Sequence, residues 1–195
     1  MSVSEVLAEV IKDEIFFDES GGGITVSGGE PLMQASFVEA LLVACRSRRV
    51  HTVLNTCGYA PSDVIRRVRE NVHLLLYDLK LMDSDRHRQF TRVGNDLILQ
   101  NLKISAEHSS SVIVRIPFIP GVNDDGDNIG ALSAFLRPLG LRRIDLLPYH
   151  RIASDKYHRL HLPYKMEGLD PPTAGHMQAI ATRLNRDGFS VRIGG

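Results

Sequence analysis

Tryptophan is absent from the 195 residues, and cysteine occurs only at Cys45 and Cys57. Two thiols so far apart in sequence make neither a disulfide framework nor a CxxC metal site, and they suit a reducing compartment. No apolar run approaches the ~18 residues of a spanning helix, and Met1 opens no signal-peptide pattern. The expectation is a soluble, cytoplasmic protein without a membrane role. Net charge is also lacking, because 23 basic side chains balance 23 acidic ones. No global field then draws the chain to nucleic acid or to an anionic membrane. Arginines gather locally at Arg46, Arg48 and Arg49 and at Arg66, Arg67 and Arg69. Both groups fall at predicted helix ends, where cations favour the negative end of the macrodipole, so each reads as a solvated terminus. Low-complexity tracts and short repeats are missing, and the length fits one domain over 1–195.

What the chain does have is glycine in one informative place. Ser20 to Gln34 reads SGGGITVSGGEPLMQ, a β-branched run over Ile24 to Val26 delivered into Ser27, Gly28, Gly29, Glu30 and Pro31. Glycines without Cβ let main-chain groups approach a ligand and accept positive φ. Glu30 sets a carboxylate beside that bare backbone, and Pro31 stops the strand. The pattern suits a small ligand carrying an amino group, and equally a tight strand-to-helix connection that binds nothing.

Around it, two hydrophobic periods alternate. Ser2 and Glu5 have capping-box spacing ahead of an apolar face at Val6, Leu7, Val10 and Ile11, so the chain starts with a helix. Strands are predicted over Ile24 to Ser27, Val50 to Asn55, Val72 to Leu79, Val112 to Phe118 with an interruption at Pro117, Arg143 to Leu147, and Phe189 to Ile193. Helices are predicted over Gln34 to Arg48, from Pro61 and Ser62 onward, Ser84 to Phe90, Asn95 to His108, Asp127 to Arg137, Ser154 to Leu160 and Thr173 to Asp187. Val72 to Leu79 is apolar enough for a strand covered on both faces. This alternation predicts an α/β fold with a parallel sheet wound in one direction, as an open or closed barrel. Polar residues fall near the strand ends: Ser27 to Glu30, Asn55 and Thr56, Asp78 and Lys80, Arg115, and His150. In parallel α/β architectures those carboxyl ends form the face where ligands bind.

Five collinear segments carry a resemblance: GGGITVSGGEPLMQ at Gly21 to Gln34, NTCGYA at Asn55 to Ala60, YDLKLMD at Tyr77 to Asp83, RIPFIPGVND at Arg115 to Asp124, and DLLPYH at Asp145 to His150. Together they resemble the radical S-adenosylmethionine (SAM) enzymes, in particular the activating enzymes of glycyl radical enzymes, such as the pyruvate formate-lyase activase. The resemblance implies an incomplete parallel (β/α) barrel binding SAM at its strand ends. Gly28, Gly29 and Glu30 would meet the SAM amino group, Lys80 its carboxylate, and Arg115 and His150 the nucleoside side. Asp78, with Asn55 and Thr56, matches positions that hold a monovalent cation in some activases, although Asn55 stands where an acid is usual. Ordinary readings stand beside these: Lys80 as an ion-pair partner of Asp78, Arg115 as a partner of Asp145, His150 as a hydrogen-bonded strand-end residue, and Cys57 as a small structural residue.

In that family a CxxxCxxC segment holds a four-iron four-sulfur cluster, and the electron it delivers cleaves SAM to a 5'-deoxyadenosyl radical that takes hydrogen from a partner glycine. These 195 residues contain no such motif, and they show no counterpart of the family's first strand. The expectation is therefore a truncated SAM-binding core, inactive alone. Its partner would be a glycyl radical enzyme of lyase or decarboxylase type, and the intact form would draw electrons from a flavodoxin or ferredoxin-like donor. The alternative is a cluster-free SAM-binding or scaffolding protein docking to such an enzyme. An unrelated barrel enzyme for a phosphorylated substrate is weaker, because no phosphate-cradling loop precedes the end. An unpaired edge on the Ile24 to Ser27 strand predicts self-association.

Overall fold

The two hydrophobic periods resolve into alternating strands and helices. The computed structural model describes residues 1–151 and 168–194, and the predicted helix at Ser154 to Leu160 lies outside them. The strands are β1 (Gly23–Val26), β2 (His51–Thr56), β3 (Leu74–Asp78), β4 (Val112–Phe118), β5 (Arg143–Pro148) and β6 (Ser190–Ile193). They form a single parallel sheet in the order β1-β2-β3-β4-β5-β6. A sequential order means that every crossover winds the same way, which bends the sheet into an arc with its helices on one side. Among the described residues β1 and β6 are its two edges, and the sheet does not close, as expected of an incomplete barrel.

The helices are α1 (Val3–Ile11), α2 (Glu14–Ser20), α3 (Ala35–Ser47), α4 (Ser62–Arg69), α5 (Ser84–Thr91), α6 (Asp96–Ser105), α7 (Gly126–Leu136) and α8 (Ala174–Arg186). None of the described helices is long and apolar enough to cross a membrane. The predicted capping box opens α1, with the Glu5 N–H donating to Ser2 Oγ and the Ser2 N–H donating to the Glu5 carboxylate. Helix α2 was not anticipated. Its Ile15 and Phe16 stay exposed, so no apolar stripe marks it, and it ends at Gly21 in the left-handed region.

Strand periodicity divides the sheet into two unlike faces. Leu54, Leu75, Tyr77, Val114, Ile116, Phe118, Ile144 and Leu146 are buried in the main core against the helices. The alternate positions Asn55, Asp78, Arg115, Asp145 and Arg192 fall on the opposite face. The leucine run of β3 is consequently not covered equally: Leu75 is buried, whereas Leu74 and Leu76 are only half-buried. β4 also continues through Pro117, which pairs with Leu147 in register, so the predicted interruption does not occur. A second, smaller core of Leu41, Cys45 and Val50 receives Val6, Leu7 and Val10 from α1, which covers the helix side of β1.

The Arg66, Arg67 and Arg69 group corrects the expectation of a solvated end. Arg67 pairs at the surface with Asp63 and Glu39. Arg69 is instead buried, donating to the carbonyls of Val72 and His108 and to Ser111 Oγ, and so clamps the entrances of β3 and β4 together. Arg69→Ala leaves those carbonyls without a partner, and thermal denaturation should register a loss of about 2–4 kcal/mol. A loss within about 0.5 kcal/mol, the size of an ordinary surface change, would show that the clamp contributes nothing.

Candidate functional site

One carboxylate joins the exits of the first two strands. Beyond β1, Gly28 and Gly29 have φ of 101° and 53°, in the left-handed region, and a Cβ on either would meet nothing within 4 Å. The backbone there is bare and faces open space. Glu30 follows and caps the short 3-10 turn Pro31–Gln34: its Oε1 accepts from the Leu32 N–H at 3.1 Å and from Thr56 Oγ1 at 2.5 Å. Its Oε2 accepts from the Cys57 N–H at 2.9 Å. A carboxylate has about four acceptor sites. Three are occupied by these hydrogen bonds, and the Cys57 thiol lies against the same carboxylate.

Thr56 passes the connection on, accepting from the Gly58 N–H at 2.9 Å. Gly58 has φ of 70°, and a Cβ there would lie 1.9 Å from Tyr77 Oη, so no other residue fits. Thr56 is itself buried and braces the loop. Glu30 and Thr56 are thus structural supports of the face, which the ligand roles implied by resemblance did not reveal.

The residues with spare capacity lie on the open face. Asn55 Nδ2 donates to Ser27 Oγ at 3.2 Å, while its Oδ1 is buried without a partner. Asp78 Oδ1 and Arg115 Nε lie 3.6 Å apart as an ion pair, yet among the described residues neither atom has a hydrogen bond, and both are buried. Each orphaned polar atom costs about 1–3 kcal/mol. Three such atoms on one face are what a polar ligand would satisfy. Burial pushes the Asp78 carboxyl above its usual range, against the opposing pull of Arg115 and Lys80. Arg115 does not take Asp145, the partner of the ordinary reading. Asp145 is held by Arg192 instead. Lys80 follows β3 half-buried, and its charge reaches both Asp78 and Cys57. His150 leaves β5 exposed, just after Tyr149, whose N–H donates to the Phe118 carbonyl at 2.9 Å.

Four buried asparagines, unnoticed in the sequence, fix these loops from behind. Asn101 donates to the carbonyls of Gly58 and Ala60. Asn123 donates to the carbonyls of Lys80 and Pro117 and accepts from the Ile119 N–H. Asn95 holds the carbonyls of Leu81 and Met82, and Asn128 accepts from the Met82 N–H. The signal was present for Asn101 and Asn128, which occupy core-facing positions of α6 and α7 that helical periodicity reserves for apolar residues.

Acceptors at Glu30, Asn55 and Asp78 beside cations at Lys80 and Arg115 suit a ligand bearing both an ammonium and a carboxylate. The cysteines suit no iron-sulfur cluster. Cys45 is sealed in the smaller core, and burial together with the neighbouring Glu30 carboxylate pushes the Cys57 thiol up to about 11. Among the described residues no group of three His, Cys, Asp or Glu is placed to hold a metal ion.

Residues 1–129 match the family model of the Radical SAM superfamily. The trans-4-hydroxy-L-proline dehydratase activating enzyme of Clostridioides difficile is 41% identical over 197 residues, covering 100% of this chain and 65% of that protein. The pyruvate formate-lyase 2-activating enzyme of Escherichia coli (strain K12) is 34% identical over 100% of this chain and 67% of its own length. The chain therefore spans about two thirds of these relatives. Among solved structures, a domain of pyruvate-formate lyase-activating enzyme from Bacteroides vulgatus ATCC 8482 superposes with a TM-score of 0.74 at 35% identity, over 89% of this chain and 99% of that one.

Burial, reinforced by the Glu30 contact, sets the reactivity of Cys57. Site-resolved alkylation should find Cys57 slow at pH 8 and rising only toward pH 11, and Glu30→Gln should speed it at every lower pH by removing the carboxylate that favours the neutral thiol. Rapid alkylation of the unaltered protein at pH 8 would contradict the contact.

Proposed function

Since the chain belongs to the radical SAM superfamily, we propose that it is the SAM-binding core of an activating enzyme for a glycyl radical enzyme. The observation that carries this reading is the trio of buried, unpartnered atoms, Asn55 Oδ1, Asp78 Oδ1 and Arg115 Nε, beside the open backbone of Gly28 and Gly29. In this reading Gly28, Gly29 and the Glu30 carboxylate take the ligand's amino group. Lys80 and Arg115 offset its carboxylate, and His150 lines the nucleoside side. Asp78 and the free Asn55 oxygen form the acceptor side of a monovalent cation site, with a neutral amide in place of a second charge. Bound SAM would supply, given an electron from a reductant that these residues do not hold, a carbon-sulfur cleavage whose radical product would take hydrogen from a glycine of the partner. The residues of this chain bind, orient and shield it, and none need act as acid or base.

The cluster that belongs to this chemistry does not fit Cys45 and Cys57, so the reductive step is not one that these residues perform. The second reading, a cluster-free SAM-binding or scaffolding protein that docks to a glycyl radical enzyme, rests on the same strand-end face. Relatives named as activating enzymes of a dehydratase and of pyruvate formate-lyase 2 support a glycyl radical enzyme as the partner. The outer edge of β1, paired with no described strand, supports self-association.

Isothermal titration should show SAM binding that Lys80→Ala weakens by about tenfold or more, the loss of one charge-assisted contact. No binding, or binding indifferent to Lys80→Ala, overturns the reading. After anaerobic treatment with iron and sulfide this chain alone should form no 5'-deoxyadenosine, and robust turnover would contradict that assignment.

A further inference from the structure

The open face carries an alternating row of charge. Strand register aligns Asp78 with Arg115, Arg115 with Asp145, and Asp145 with Arg192, one residue from each of four neighbouring strands. Adjacent strands lie about 4.8 Å apart, so Arg115 has a carboxylate on either side. Among the described residues its guanidinium nevertheless pairs with Asp78, Nε 3.6 Å from Oδ1, and that Nε makes no hydrogen bond. The reason lies one strand further on. Arg192 holds Asp145 with a two-pronged grip, Nε to Oδ1 at 3.2 Å and Nη2 to Oδ2 at 3.0 Å. The Asp145 side chain is 8% exposed and the Arg192 side chain 64%.

A nearly buried carboxylate must have a partner, and a planar guanidinium fork is the strongest one available. Arg192, on the edge strand, satisfies Asp145 from outside and leaves Arg115 uncommitted. Without Arg192, the cation in register beside Asp145 on the neighbouring strand is Arg115, which would turn away from Asp78 and the strand-end face. We propose that Arg192 is a positioning residue that keeps Arg115 available to a bound anionic or polar group by withdrawing Asp145 from competition. The inference rests on the SAM-binding reading for the identity of that group, but the competition between Arg192 and Arg115 does not depend on it. An edge-strand residue with a mostly exposed side chain would thus tune a site two strands away.

The test is a cycle of Arg192→Ala, Asp145→Asn and the two together, measured by SAM titration and by the Nε–H resonances of the arginine side chains without ligand. Arg192→Ala should weaken SAM binding about tenfold, and adding Asp145→Asn should restore it to within about twofold, because the competing charge has gone. Arg192→Lys, which keeps the charge and loses the fork, should fall between. A merely structural role for Arg192 would not be rescued by deleting its partner. Without ligand, the Arg115 Nε–H resonance should shift in Arg192→Ala and return in the double variant. Unchanged affinity in Arg192→Ala, no rescue, or an unmoved Arg115 resonance overturns the proposal. If the unaltered protein fails to bind SAM, the functional reading falls, and the resonance alone decides the role of Arg192.

Discussion

The hydrogen bonds that converge on Glu30 are the constraint on which the strand-end face depends. One carboxylate caps the 3-10 turn after β1, accepts from Thr56 at the end of β2, and accepts from the Cys57 main chain beyond it. Thr56 then orders Gly58, which is pressed against Tyr77 of β3. Three strand exits are registered to one another in this way before any ligand is present. Gly28 and Gly29 face open space just ahead of the turn that Glu30 caps.

The balance of energies separates the two ends of the molecule. Exposed pairs such as Lys12 with Glu9 or Arg88 with Asp85 contribute at most about 1 kcal/mol each. The buried amides of Asn101 and Asn123 each satisfy two main-chain carbonyls, fully buried for Asn101 and part-buried for Asn123, and losing one leaves groups costing up to about 1–3 kcal/mol apiece. Stability at the strand ends therefore comes from neutral amides behind the face. The charged residues in front of it are under-satisfied, with Asn55, Asp78 and Arg115 each holding a polar atom that the protein does not pair. A rigid rear and an incomplete front are the physical form of a binding face.

Most of the architecture was legible because most strands are short β-branched or leucine-rich runs and most helices have an apolar stripe. Val112–Phe118 and the Ser2 capping box are found where the pattern placed them. Helix α2 was not, since exposed Ile15 and Phe16 follow no face. Arg69 was misjudged because its neighbours Arg66 and Arg67 are surface residues, and composition cannot tell which of three arginines turns inward. Side-chain partnering was the largest loss. Register sets Asp145 beside both Arg115 and Arg192, and only the side-chain contacts show that Asp145 belongs to Arg192 and not to Arg115.

The most direct test of the account is the amide spectrum of the chain with and without SAM. The account predicts saturable shifts at the Gly28, Gly29 and Lys80 main chain and at the Asn55 side-chain amide, with His73 and Arg142 at the opposite end of the strands unmoved. Shifts centred on those opposite-end residues, or none at all, would contradict it.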